Sequence, residues 1–182
     1  MLLNSSSTCF SINMAHPFAP VLRSLFAVER ARRSAILDAA ESRADRQSPA
    51  PLAIWLFGSA ARGEDTFQSD IDLAIVARTD ASAQRLAASL RDCLQPIARQ
   101  HAVHPSVVPY SARTVLSLPE VDAQMWTHLL RDATPLTGPA PEYLRQQLAR
   151  SADARQSQST KSQHDTQKVA DHARKASVDE LS

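Results

Sequence analysis

A glycine-serine pair and two closely spaced aspartates are the residues of this sequence best suited to phosphate and metal chemistry. Gly58 and Ser59 directly follow the apolar run 52–57, while Asp70 and Asp72 open a second apolar run. Backbone N–H groups at a strand-to-helix turn bind an anion when no side chain blocks its approach, which glycine allows, and serine adds a hydroxyl donor. We therefore expect phosphate to bind at Gly58 and Ser59.

The two aspartates lie two residues apart on a predicted strand. Alternation puts Asp70 and Asp72 on one face of that strand and Ile71 and Leu73 on the other. Neighbouring carboxylates in an apolar run are costly to bury unless a cation such as Mg²⁺, shared with substrate phosphates, neutralises them. Either motif alone is commonly just a turn or a strand end, but chance rarely places both in this structural order.

Together, Gly58, Ser59, Asp70 and Asp72 resemble the signature of the DNA polymerase β-like nucleotidyltransferase superfamily in its minimal prokaryotic form, over roughly residues 50–140. The resemblance implies transfer of a nucleoside monophosphate from an NTP to a hydroxyl group on a protein or a small molecule, with AMP from ATP as the expected case. It implies that the glycine and serine hold the β- and γ-phosphates. The two aspartates would be the catalytic residues and chelate two Mg²⁺ ions.

A basic residue and a missing acidic one refine this hypothesis. Arg62, one helical turn after Ser59, stands where superfamily members often carry a basic residue and is a candidate nucleotide-binding residue; a plain surface arginine is the alternative. Two-metal phosphoryl transfer generally uses a third carboxylate on a neighbouring strand. The predicted third strand, 101–110, has no Asp or Glu, and His104 or Ser106 stands near the expected place. A catalytically weak or inactive NTP-binding regulatory module is therefore the alternative function.

The resemblance also implies partners. In the minimal family one acceptor is a tyrosine of a HEPN-type toxin, which would make this chain an antitoxin. Residues 13–20 are similar to the junction in bacterial proteins that join a winged helix-turn-helix to a nucleotidyltransferase domain. Since the DNA-binding part is absent here, we expect a truncated or mis-started gene product without direct DNA binding.

Composition indicates an ordinary globular protein. The formal net charge of +1 gives no global electrostatic reason for a nucleic-acid or membrane partner. The two cysteines, Cys9 and Cys93, favour a reducing compartment over a disulfide framework. Without a recognisable signal peptide or membrane span, a cytoplasmic location is expected.

The apolar pattern predicts an α/β (α+β) fold, with a short mixed β-sheet and helices mainly on one face. The expected elements are an amphipathic helix from Pro20 to about Ser42 carrying Leu22, Leu25, Phe26 and Ile36, strands at 52–57 and 71–77, a helix over 80–100 that Pro96 should kink or end, a short or edge strand in 101–110, and a helix with Pro119 in its first turn. The expected domains are a disordered or remnant segment 1–18, a nucleotidyltransferase-like domain 19–150 and a disordered polar tail 151–182.

Overall fold

A mixed four-stranded sheet organises the chain. The computed structural model describes residues 13–63 and 70–154. Its elements are α1 (Ala19–Asp45), β1 (Ala53–Phe57), α2 (Gly58–Arg62), β2 (Ile71–Ala77), α3 (Asp80–His101), β3 (Pro105–Ser111), α4 (Ala112–Val121), α5 (Ala123–Asp132) and β4 (Thr134–Thr137), followed by a helix α6 over 141–154. The strand order is β3-β2-β1-β4, with β2 and β3 parallel and the other pairs antiparallel. The expected α/β class with a short mixed sheet is confirmed.

The core has two layers, one on each face of the sheet. On one face, Ile54, Leu56 and Leu73 pack with buried residues of the two longest helices, α1 and α3. On the other face, Trp55 and Val76 pack with buried residues of α4, α5 and α6. All of β1 is buried, as its uninterrupted apolar run predicts. The shorter helices α4, α5 and α6 thus cover the second face of the sheet, although helices were expected mainly on one face.

Helix α1 is longer than the sheet that it packs on. At 1.5 Å per residue, its 27 residues span about 40 Å, whereas a strand of five to seven residues spans about 17–23 Å. Its second half buries Ile36 and Ala40, but Leu22, Leu25 and Phe26 in its first half are exposed. The helix therefore forms as predicted, and only part of its predicted apolar stripe reaches the core.

The prolines act differently from the sequence expectations at two places. Helix α3 continues through Pro96 to His101, and because Pro96 is exposed, water can solvate the carbonyl group that loses its helical hydrogen bond. Pro119 lies near the end of α4 and not in the first turn of the following helix. Ser111 begins α4 by accepting a hydrogen bond from the Thr114 N–H at 3.1 Å. Strand β3 is an edge strand, as its own prolines predict.

The two terminal segments expected to lack structure fall mainly beyond the described residues. Residues 1–12 and 155–182 lie outside them, whereas 13–18 form turns and α6 is described as far as 154. Within the described part of the chain, no helix is both long and apolar enough to cross a membrane.

A buried arginine links α1 to the end of α3. Arg32 donates from Nε to the His101 carbonyl at 2.6 Å and from Nη2 to the Ala102 carbonyl at 2.7 Å. Its Nη1 donates to Glu29 at 2.7 Å. The last carbonyl groups of a helix lack intrahelical donors, and a cation there also interacts favourably with the helix dipole. Arg32 thus stabilises the start of the loop that leads into β3.

Replacing this arginine is expected to destabilise the fold. In Arg32→Met the two carbonyl oxygens lose their charged donor, so the free energy of unfolding in urea should fall by about 1–3 kcal/mol. Arg30→Met, at an exposed position of the same helix, is the matched control and should change it little. Equal losses in the two variants would contradict this role.

Candidate functional site

The candidate site lies where β1 ends and β2 and β3 begin. Antiparallel pairing sets Phe57, the last residue of β1, opposite Asp72. Parallel pairing sets Asp72 opposite Ser106, near the start of β3. Asp70 directly precedes β2 and is exposed, whereas Asp72 is partly buried. Three neighbouring strand ends therefore bring the two aspartates together with the residue that follows β1.

Side chains alternate along β2 as the sequence predicts. Ile71 and Leu73 pack in the core between the sheet and α1 and α3, while Ala74, two residues beyond Asp72, packs on the opposite face. Asp70 precedes the strand and lies close enough for its charge to raise the pKa of Asp72.

Gly58 lies in direct contact with the Asp72 carboxylate. A Cβ built on Gly58 would lie 2.6 Å from Oδ2 of Asp72, and the φ angle of Gly58 is +75°. L-residues rarely adopt this left-handed conformation, and no side chain fits the gap. The glycine is thus required both by its backbone conformation and by the carboxylate beside it.

The backbone after Gly58 turns at once into the short helix α2. Phe57 is its N-cap, and among the described residues no side chain caps the N–H groups of its first turn. Ser59 is partly buried within that turn. Such N–H groups, with a serine hydroxyl beside them, can donate to an anion. These candidate anion-binding groups therefore adjoin the Asp72 carboxylate, as the motif order predicts.

Burial and like charge both act against ionisation of Asp72. Burial raises the pKa of Asp72 most, the charge of Asp70 raises it further, and a hydrogen bond from the Ser106 side chain opposes both. Repulsion between two close carboxylates of which one is partly desolvated is relieved by a cation. The electrostatics of the site therefore favour binding of a positive ion.

Oxygen atoms dominate the donors at this sheet end. The described residues contain no cluster of three or more His, Cys, Asp and Glu side chains suited to hold a metal ion. The position opposite Asp72, where a third carboxylate was sought, holds the Ser106 hydroxyl. His104 is exposed, and its backbone carbonyl accepts from the Ile71 N–H at 3.0 Å. Two carboxylates and a hydroxyl form a set of hard ligands, which suits Mg²⁺.

Arg62 ends α2 in an ion pair that sequence reasoning missed. Its Nη1 lies 2.7 Å from Oδ2 of Asp132, the last residue of α5. Arg131 contacts both oxygens of the same carboxylate, at 2.7 and 2.8 Å. Hydrogen bonds from Arg131, and then from Arg62, hold the pKa of Asp132 at about 2 despite its burial. The available signal was an acidic residue at a helix C-terminus, where the helix dipole disfavours it unless it is paired.

All of the predicted site residues lie within one segment that matches a known protein family. Residues 43–102 match the family described as Polymerase beta, Nucleotidyltransferase. This segment of the chain is similar to a polymerase β-type nucleotidyltransferase domain. The matched segment contains β1, α2, β2 and α3 and every predicted site residue.

The solved structures that match the chain are distant from it. A toxin-antitoxin with AMP-PNP is 19% identical, with 59% of this chain and 79% of that chain covered and a TM-score of 0.35. A mutant of the toxin-antitoxin MntA-HpeT is 19% identical, with 64% and 85% covered and a TM-score of 0.37. Among curated proteins, none matches the chain significantly.

The contact between Gly58 and Asp72 can be measured against a second glycine of the domain. Gly63 has a φ angle of +69°, and no described atom lies within 4 Å of where its Cβ would be. Gly63→Ala should therefore lose only the conformational term, about 1–2 kcal/mol. Gly58→Ala should lose about 1–3 kcal/mol more through overpacking against Asp72. Urea denaturation measures both, and equal losses would argue against the contact.

The charge of Asp72 should lower the stability of the folded chain at neutral pH. Since the pKa of Asp72 is raised in the folded state, the native protein binds a proton more tightly than the unfolded chain, and stability falls as the pH rises above the ordinary value of about 4. In chelator, Asp72→Asn should exceed the wild type in stability at neutral pH, and this advantage should vanish in acid. Denaturant titrations at several pH values test this. Asp92→Asn, at an exposed position of α3, is the control, and the same advantage there would refute the assignment.

Proposed function

We propose that the nucleotidyltransferase domain transfers a nucleoside monophosphate, AMP from ATP as the expected case, to a hydroxyl group on a protein or a small molecule. The carrying observation is the contact between Gly58 and Asp72, whose Oδ2 would lie 2.6 Å from a Cβ on the glycine. Transfer of a nucleotidyl group needs a phosphate-binding turn and a metal-binding carboxylate pair within the length of one triphosphate. The contact between Gly58 and Asp72 would hold the turn and the carboxylate pair within the length of one triphosphate.

Asp70 and Asp72 are the proposed catalytic residues because they would hold Mg²⁺. They lie close together at the start of β2, where burial and then the charge of Asp70 raise the pKa of Asp72. Bound Mg²⁺, two ions by the superfamily resemblance, would neutralise this charge and that of the substrate phosphates. The aspartates themselves fix where the reacting phosphate must lie relative to the sheet.

Gly58, Ser59 and Arg62 are the proposed nucleotide-binding residues. The uncapped first turn of α2 offers backbone N–H groups, and the Ser59 hydroxyl adds a donor beside them. Arg62 ends the same helix and carries a guanidinium group, which binds phosphate oxygens in a planar, directional manner. A helix of five residues thus presents every proposed phosphate contact.

A second candidate function is an NTP-binding regulatory module with weak or no turnover. The observation that favours it is Ser106, which pairs with Asp72 in the parallel ladder and donates to its carboxylate. A serine hydroxyl at this position is a weaker metal ligand and a weaker base than a carboxylate. Nucleotide binding through Gly58, Ser59 and the aspartates is common to both functions.

The proposed acceptor is a hydroxyl group on a partner protein of HEPN type, which would make this chain an antitoxin. The motif pattern supports this proposal through the superfamily resemblance, and the two solved structures above are toxin-antitoxin assemblies. The proposed setting is the cytoplasm, and no direct DNA contact is assigned to this chain. The formal net charge of +1 gives no global electrostatic reason for a nucleic-acid partner.

Labelling with nucleotide tests the proposed activity. The chain, Mg²⁺ and ATP labelled at the α-phosphate are incubated with lysate of its own cells, and label on an acceptor is measured. We expect transfer that vanishes in chelator and falls by at least about 10³-fold in Asp70→Ala, because both proposed metal ions lose a ligand. Asp92→Ala, an exposed aspartate on α3, should retain full transfer.

The same preparation separates the two functions. Saturable, Mg²⁺-dependent ATP binding without label transfer would contradict the proposed enzymatic activity and support the regulatory module. Absence of both binding and transfer would exclude both functions. In a parallel incubation with ATP labelled at the γ-phosphate, transfer of that label without transfer of the α-label would indicate phosphoryl rather than nucleotidyl transfer.

A further inference from the structure

A buried carboxylate joins α2 to α5 at the edge of the site. The Asp132 side chain is only 2% exposed, and its Oδ2 accepts from Arg62 Nη1 at 2.7 Å. Arg131 donates from Nε to Oδ1 at 2.7 Å and from Nη2 to Oδ2 at 2.8 Å. Two guanidinium groups from different helices therefore share one carboxylate.

Neutralising Asp132 does not by itself require Arg62. Arg131, its sequence neighbour, already bonds both carboxylate oxygens, which is the strong bidentate form of this pair. Arg62 adds a further charge-assisted hydrogen bond from a residue 70 positions away in sequence. The contact therefore constrains Arg62 more than it serves Asp132.

The contact restricts a side chain that otherwise has many rotamers. The Arg62 side chain is 33% exposed, and a free arginine at such a position would have to be ordered when phosphate binds. Asp132 holds one end of the guanidinium while α2, beginning at Gly58, holds its backbone. Since ordering a side chain in advance lowers the entropy lost on binding, the restriction favours nucleotide binding.

Asp132 stays ionised across the physiological pH range. Its pKa is held at about 2, chiefly by the hydrogen bond from Arg131. The carboxylate therefore remains an acceptor for Arg62 at every pH at which nucleotide binding would be measured.

We propose that Asp132 is a positioning residue that fixes the Arg62 guanidinium for the triphosphate of the substrate. This inference rests on the proposed function, since it assigns Arg62 to the nucleotide. Asp132 does not touch the substrate and acts only through Arg62. Its effect should therefore disappear when Arg62 is absent.

A double-mutant cycle on nucleotide affinity tests the inference. The probe is the Mg²⁺ complex of α,β-methylene ATP, which binds but cannot lose pyrophosphate, and calorimetry gives its Kd. We expect Arg62→Ala and Asp132→Asn each to weaken binding about tenfold, and the double variant to bind no more weakly than Arg62→Ala alone. Arg131→Gln, which leaves the Arg62 contact in place, is the matched control and should bind as the wild type does.

Stability is measured in parallel, because Asp132 is buried. If Asp132→Asn fails to fold, Asp132→Glu retains the charge and moves the carboxylate by one methylene group, and it should still weaken binding several-fold. Thermal unfolding shows which variants are folded, and affinities are compared only among those.

Three outcomes would overturn the inference. Unchanged affinity in folded Asp132→Asn would leave the proposed function intact and remove the positioning role. Equal weakening by Asp132→Asn with and without Arg62 would make Asp132 a structural residue. Failure of the wild type to bind the probe would overturn the proposed function and this inference together.

Discussion

The close approach of the Gly58 backbone to the Asp72 carboxylate sets the geometry of the candidate site. Gly58 can approach Asp72 only because no Cβ intervenes, and its left-handed φ angle turns the chain from β1 into α2 at that point. The approach in turn requires that β1 and β2 be antiparallel and paired so that Phe57 faces Asp72. The close approach therefore depends on the strand register, on the start of α2 and on the absence of a side chain at Gly58.

The surroundings of Asp72 and Asp132 shift the pKa values of these two carboxylates in opposite directions. Asp132 is buried but bonded by two arginines, which hold its pKa at about 2. Asp72 is partly buried beside a like charge, with a hydroxyl as its side-chain donor, and its pKa is raised. The first arrangement stabilises the folded chain, while the second lowers its stability in the absence of a cation. Such a locally unfavourable arrangement is typical of binding and catalytic sites.

Sequence reasoning reached the parts of the site that local patterns determine. The uninterrupted apolar runs predicted β1 and β2. The alternation along the second run predicted the face of β2 on which Asp72 lies. The predicted third strand, 101–110, could not be given a register from sequence, so Ser106 and His104 stayed equivalent until strand pairing set Ser106 opposite Asp72. Asp132 could not be paired from sequence, because 70 positions separate it from Arg62.

The extent of helix packing was also beyond the sequence. The apolar stripe of α1 is continuous, but the sheet is too short to cover it, so Leu22 and Phe26 are exposed while Ile36 is buried. The length of one element relative to another is a property of the assembled fold. For the same reason, the apolar positions of β1 indicated burial on both faces without showing which helices supply it.

The strand order β3-β2-β1-β4 has a consequence for motion. The inner strands β1 and β2 hydrogen-bond to a neighbour on both sides, so their amide protons should exchange with solvent only through the largest opening of the fold. Asp72 lies on one of these inner strands, whereas Gly58 and Ser59 lie in a helix of five residues at the sheet end. Asp72 is thus anchored in the part of the sheet that should exchange most slowly, whereas Gly58 and Ser59 are held by a much shorter element.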